Sequence, residues 1–177
     1  MAVIGGGWGI GLEVARRAAL DGAKVHLGGR TSSKLAAAAE PLGATWQVVD
    51  STDQDSLAAF FGALDRVDHL FTPGASYVVG PLRAPSDEDA ASPFETKFWG
   101  QYHAVSTRCL DCPPTPRQPV GRASGRGAGG EHRAVIARHV AAPRRPRVRT
   151  GRAVLYLVGN GYTTGSTLYP DGGYALR

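Results

Sequence analysis

Apolar positions change period several times along residues 1–110, and each change marks an element. "AVI" at 2–4 is a short unbroken apolar run of the kind a buried strand shows. Ile10, Val14 and Ala18 then fall on one face of a helix, which "DG" at 21–22 stops. "KVHLGG" at 24–29 predicts a second strand, and "SSKLAAAAEPLG" at 32–43 a helix capped by Ser and broken at Pro41 and Gly43. "TWQVV" at 45–49, "TDQDSLAAFFGAL" at 52–64 and "HLFT" at 69–72 predict strand, helix and strand in turn. After a polar loop, "SPFETKFWGQYHAVSTRCL" at 92–110 predicts a helix with Ser92 as cap, Pro93 at its first position and Glu95 completing a capping box. Strands and helices alternating at this spacing predict a parallel sheet with right-handed crossovers, an α/β doubly wound, Rossmann-like architecture.

The patterning fails over residues 111–152, where Pro, Gly and Arg supply 22 of 42 positions. Such a composition cannot bury enough apolar surface to offset its ordering entropy, so the segment is expected to be irregular or disordered. Within it only "HRAVIARHVAA" at 132–142 reads as a short helix. Order returns at 153–177: "AVLYLV" is too short to assign to helix or strand, "GNGYTTG" is a turn cluster, "STLY" a strand and "DGG" a turn. Three regions result: a dinucleotide-binding βαβ half at 1–110, the irregular segment at 111–152, and a C-terminal part at 153–177. The sheet is therefore expected to be incomplete. It lacks its fifth strand and leaves the C-terminal strand without a neighbour.

Length and charge refine this picture only locally. A chain of 177 residues with 42% apolar content is one domain with a real core, and no apolar run approaches the ~20 residues of a membrane span. The N-terminus reads as free of a signal peptide, and two cysteines suggest a reducing compartment, with the cytoplasm as the default. The net charge of +5 hints at nucleic acid, but residues 111–152 alone carry ten of the 17 arginines and two acids, a net of +8, leaving −3 elsewhere. "PRRPRVRTGR" could bind phosphate backbones without selectivity, yet it has no interleaved aromatics and no recognition motif. No specific nucleic-acid partner and no membrane partner are expected. A basic nucleic-acid-binding protein stands as the reading from a different class.

The chemistry-bearing stretch is "GGGWGIG" at 5–11, five glycines in seven positions between a strand and a helix. Gly5 allows a tight turn, while Gly9 and Gly11 let backbone approach a pyrophosphate and let the helix pack close to the sheet. The spacing is a variant of the usual dinucleotide fingerprint. About 20 residues further on, an NAD site places an acid against the ribose 2′-hydroxyl. Here the second strand ends in Gly29 and Arg30 with no carboxylate, and Thr31, Ser32 and Ser33 follow. A guanidinium among hydroxyls suits a 2′-phosphate, so NADP is expected over NAD.

With these residues in place the chain resembles the short-chain dehydrogenase/reductase family. "VIGGGWGIG", "VVDST", "DHLFTPGAS", "FETKFWGQYHA" and "YTTGSTLYPDGGY" stand in the family's order. Two departures are visible: Thr72-Pro73-Gly74-Ala75 replaces the Asn-Asn-Ala-Gly motif, and Lys97 stands where the family usually has a structural Asn. The resemblance implies hydride transfer between a nicotinamide and a small carbonyl or alcohol substrate. It implies cofactor contacts at Gly5, Gly9, Ile10, Gly11, Arg30, Thr31, Ser32, Asp50, Ser51 and Gly74, with Asp50 at the adenine. It also implies a catalytic Tyr with Lys four residues on, whose charge favours the phenolate, and a Ser on the preceding strand.

That catalytic set is missing. None of the tyrosines at 77, 102, 156, 162, 169 and 174 is followed by Lys four residues later, and no lysine occurs after position 97. Ser124, the one serine of the irregular segment, sits in "GRASGRG" and carries no role, so no catalytic residue is assigned. The expected function is an NADP-dependent short-chain oxidoreductase impaired in this chain, with a non-catalytic nucleotide-binding remnant as the alternative. Arg, Pro, Gly and Ala are spelled by GC-rich codons, so a frame change in a GC-rich gene would produce the irregular segment, as would deletion with divergence. Cys109 and Cys112 form a C-x-x-C pair, but His132 and His139 lie outside zinc-finger spacing, and no metal site is expected. Trp8, inside the loop, is expected to be exposed. Phe94, Phe98, Tyr102 and Val105 recur at helical spacing and read as packing, in the core or on a helix-paired face of a homo-oligomer.

Overall fold

The computed structural model describes residues 1–74, 86–110, 133–135 and 146–160. Its centre is a parallel sheet of β1 (Ala2–Ile4), β2 (His26–Gly29), β3 (Thr45–Val48), β4 (His69–Phe71) and β5 (Arg133–Val135). The strand order is β3-β2-β1-β4-β5. Helices α1 (Gly9–Leu20), α2 (Ser32–Ala39), α3 (Gln54–Gly62), α4 (Asp87–Pro93), α5 (Gly100–Leu110) and α6 (Pro146–Gly159) cover it. The expected doubly wound α/β, Rossmann-like fold is therefore present.

Period-two alternation sorts the strands between two cores. Val3, Leu27 and Phe71 face α1, α2 and α6, where Val14, Ala15, Ala18, Leu35 and Val154 meet them. Ala2, Ile4 and Leu70 face the opposite way, onto Leu57, Phe60, Phe61 and Ala104 of α3 and α5. A sheet buried on both faces is the parallel arrangement that the short apolar strands demanded. The stop at "DG" is also present: α1 ends at Leu20, and Gly22 adopts φ +85°, which a side chain resists.

Four expectations are corrected. Residue Thr31, not a serine, holds the N-cap position of α2; its backbone is extended and its side chain makes no capping bond. The helix expected from Ser92 begins earlier, at Asp87, because Ser86 Oγ accepts from Asp89 N at 3.1 Å and three acids fill the first turn. Acids there suit the positive end of the helix dipole. Pro93 closes α4 instead of opening a helix. Lacking an N–H, it cannot continue the ladder, and Phe94–Trp99 widens into a π turn in which Gly100 N donates to Glu95 O. Thr96 Oγ1 supplies a side-chain donor to the Ser92 carbonyl at 2.9 Å.

The third correction is the fifth strand. Arg133, Ala134 and Val135 pair in parallel with His69, Leu70 and Phe71, where a helix or irregular chain was expected. Beside an unpaired β4 edge, hydrogen bonding outweighs the poor local pattern. The fourth is α6, which crosses the boundary drawn at 152/153 and packs on α1. Val154 is buried there, with Leu155 and Val158 alongside. The "STLY" strand, the "YTTG" and "DGG" turns, Ser124 and Cys112 lie outside the described residues. Among the described residues, no helix is long and apolar enough to cross a membrane, and no cluster of His, Cys, Asp or Glu could hold a metal.

Candidate functional site

Strand order reverses at β1: β2 lies on one side of it and β4 on the other. In an open parallel sheet that reversal leaves a crevice beyond the carboxyl ends of the strands, with two loops diverging around it. The loop after β1 is the glycine run. Its opening residues prolong the ladder, since Gly5 N and Gly6 N both donate to the Gly28 carbonyl at 2.8 and 3.1 Å. Gly5 has φ +95°, and a Cβ there would stand 2.9 Å from the Gly74 backbone. Gly74, in the loop after β4, is thus brought against Gly5 at the crevice.

Gly9 and Gly11 divide the remaining work. Gly9 has φ +68° and nothing within 4 Å of where its Cβ would stand, so a ligand can approach its backbone. A Cβ on buried Gly11 would overlap the Gly5 carbonyl, so only glycine lets α1 come this close to the loop. The first helical bond closed onto the cap is Leu12 N to Trp8 O at 3.3 Å. The amides of Gly9, Ile10 and Gly11 therefore form the orphan donor turn at the positive end of α1. No acid occupies that turn, and Trp8 makes no side-chain cap. The cradle fits a pyrophosphate.

The neighbouring strand ends at the same edge. Arg30, Thr31 and Ser32 are exposed on the turn from β2 into α2. Asp50 follows β3, and its carboxyl is held below the usual carboxylate range. The leading cause is the hydrogen bond from Thr52 N; the Thr52 hydroxyl and the charge of Arg30 add to it against the cost of burial. Thr52 N and Oγ1 donate to Asp50 Oδ1 at 2.9 and 2.8 Å, so one carboxylate oxygen is occupied by its own turn. Ser51 faces elsewhere: a Cβ on Gly100 of α5 would stand 2.8 Å from its hydroxyl.

Of the remaining candidates, Trp8 stands in the glycine loop itself, as the N-cap of α1. Trp8 is 66% exposed, as expected. Phe94, Phe98 and Tyr102 are 67, 54 and 56% exposed, which overturns their reading as core; Val105 does pack against the second core. Tyr156 lies on α6 and accepts from Asn160 Nδ2 at 2.9 Å. Sequence reasoning missed Gly28. A Cβ there would strike Val49 and Phe60 at 2.7 and 2.8 Å, so this glycine seats α3 beneath the site. A glycine inside a strand pattern was the available signal. Gln101 was missed as well. Buried Gln101 donates from Nε2 to the Thr72 carbonyl at 3.1 Å and ties α5 to the loop that carries Gly74.

Comparison with known proteins now adds a family-level match. The family model described as short chain dehydrogenase matches residues 1–111. Comparison with curated proteins gives no match. Among solved structures, a short chain dehydrogenase/reductase family protein is 31% identical with a TM-score of 0.58, covering 62% of this chain and 47% of its own. A short-chain dehydrogenase/reductase from Vibrio parahaemolyticus aligns with a TM-score of 0.58 at 19% identity, covering 62% of this chain and 53% of its own. An actinorhodin polyketide ketoreductase with NADPH aligns at 0.58 and 24%, covering 60% and 44%. The chain spans about half the length of the solved structures it matches.

Proposed function

The chain belongs to the short chain dehydrogenase family, and on that premise we propose that its crevice is a receptor for NADP(H), in preference to NAD(H), in an oxidoreductase whose proton-transfer step is impaired. The observation that carries this reading is the cradle: Gly5 turned at φ +95°, Gly9 open to approach, and Gly11 with no room for a side chain. Gly9, Ile10 and Gly11 hold the pyrophosphate through backbone amides. Arg30, with Thr31 and Ser32, takes the 2′-phosphate, because a guanidinium offers paired donors and no carboxylate stands on that turn to repel it. Asp50 borders the adenine side, and Gly74 lies against Gly5 at the crevice wall.

When bound, the nicotinamide supplies the hydride for a small carbonyl or alcohol substrate. This chain's residues bind and orient it. They do not supply the proton relay, since no tyrosine has a lysine four residues on and β5 (Arg-Ala-Val) contains no serine. In this reading residues 1–110 form the receptor, and no tyrosine of 111–177 has the lysine partner that the relay requires. The exposed aromatic row of Phe94, Phe98 and Tyr102 offers a face for a second copy.

The test sets NADPH binding by calorimetry beside carbonyl-dependent NADPH oxidation on the same folded preparation. Saturable binding with at most trace turnover is expected, and Arg30→Asp should weaken NADPH while sparing NADH. Absence of NADPH binding overturns the receptor, and brisk turnover overturns the impairment.

A further inference from the structure

α5 carries a polar side chain on the face that packs toward the sheet. Gln101 is buried there, while Ala104 and Val105, one turn on, belong to the second core. Helical spacing puts all three on one side, where an apolar residue would pack at less cost than an amide. The amide is compensated by its bond, the 3.1 Å contact from Nε2 to the Thr72 carbonyl. Thr72 needs that donor. It follows Phe71, the last residue that β4 pairs with β1 and β5, so its carbonyl lies beyond the ladder. Thr72 is itself buried, and among the described residues its hydroxyl meets no partner, so its side chain adds no anchor. Two residues on, Gly74 packs backbone to backbone on the end of β1. A Cβ on it would stand 3.4 Å from the Ile4 carbonyl oxygen and 3.6 Å from Gly5 Cα.

We propose that Gln101 is a positioning residue for the cofactor crevice: through the Thr72 carbonyl it keeps Gly74 seated on Gly5. The glycine turn is thereby held in the shape that receives the ligand. This inference rests on the receptor reading above, but not on the choice between NADP(H) and NAD(H). Gly5 can pass between positive and negative φ without steric penalty, so its neighbours must select φ +95°. On one side the Gly28 carbonyl accepts from Gly5 N; on the other stands the Gly74 backbone. Gly74 is as free as Gly5, so it transmits position only when its own loop is fixed. Gln101 fixes that loop from a helix, a more rigid base than a loop residue would give.

NADP⁺ is titrated calorimetrically into the full chain on either side of a buried carboxyl's titration, at about pH 8 and about pH 5.5. Circular dichroism and the melting temperature check folding at each pH. Every variant is compared with wild type at the same pH, which removes the titrations of the cofactor and of His26. Gln101→Leu removes the donor and should lose about tenfold in affinity at both pH values, the size of one hydrogen bond. Gln101→Glu keeps the shape. Its carboxylate cannot donate at the higher pH and should lose about tenfold or more; protonated at the lower pH, it donates again and should return to within about twofold of wild type. If Gln101→Leu does not fold, the recovery of Gln101→Glu decides alone. A Gln101→Glu loss that does not recover, or a lower melting temperature with unchanged affinity, overturns this inference alone. A wild-type chain that binds no NADP⁺ sinks the receptor reading itself, and this inference with it.

Discussion

The two sides of β1 are built by different means. Toward β2 and β3, each element follows from its own sequence, and glycines are placed where backbones must touch. Toward β4 and β5, the edge strand is three residues long and α6 is held by what it lies on. Val154 is buried in the same core as Val14 and Ala18 of α1, the helix on which α6 packs. One side is specified locally and the other by tertiary contact. The crevice proposed for the cofactor sits where the two meet, and every group we assign to the phosphates comes from the locally specified side.

Substitutions at the seams should break this difference open in a fixed order. Gly11→Ala has the largest expected effect. Its methyl would collide with the Gly5 carbonyl, so overpacking should cost about 3 kcal/mol or more and abolish NADPH binding. Chemical denaturation and calorimetry read both. Gly151→Val comes next. A Cβ there would stand 2.9 Å from Glu13 Cγ, and Glu13 is already clamped by Arg17 at 2.6 Å and Arg16 at 3.1 Å. The expected cost is about 1–3 kcal/mol. Hydrogen exchange should show it as early opening of α6 with β1–β3 still protected; uniform opening would mean that the two sides fold as one unit.

Smaller effects sharpen the contrast. Asp53→Ala removes the α3 cap, whose side chain accepts from Asp55 N at 3.0 Å, and should lower stability by about 1 kcal/mol without changing cofactor preference. At neutral pH the smallest effect is that of His26. Burial, with the N-terminal ammonium adding to it, holds this imidazole below its usual 6.5. Its Nδ1 meets Thr45 Oγ1 at 2.7 Å and its ring lies 4.9 Å from Phe60. The fold prefers neutral His26, so the contribution is full above about 6.5 and is lost as pH falls through the lower folded value. The melting temperature should drop in mildly acidic solution, and His26→Leu should flatten that drop; an unchanged slope would contradict the assignment.

The legible parts of the chain share one physical trait. β1, α1, β2, α3 and β4 each carry their own periodicity and stop signals, so pattern and fold agree. Gly5, Gly9 and Gly11 were legible because each has a backbone reason to be glycine. What escaped depended on partners. Asp87, Glu88 and Asp89 read as a polar loop until Ser86 capped them, and the arginines around Ala134 and Val135 hid a strand that shows itself only in its pairing with β4. "VRTGRAVLYLV" mixes charge with apolar residues, and its helical face becomes visible only against α1.

The most direct test of the central claim is amide hydrogen exchange on the full chain with and without NADPH, resolved to single residues. The account predicts new protection at Gly9, Ile10 and Gly11 with either nicotinamide cofactor, and at Arg30, Thr31 and Ser32 only with NADPH. Binding that leaves the Gly9–Gly11 amides exchanging as before would contradict it.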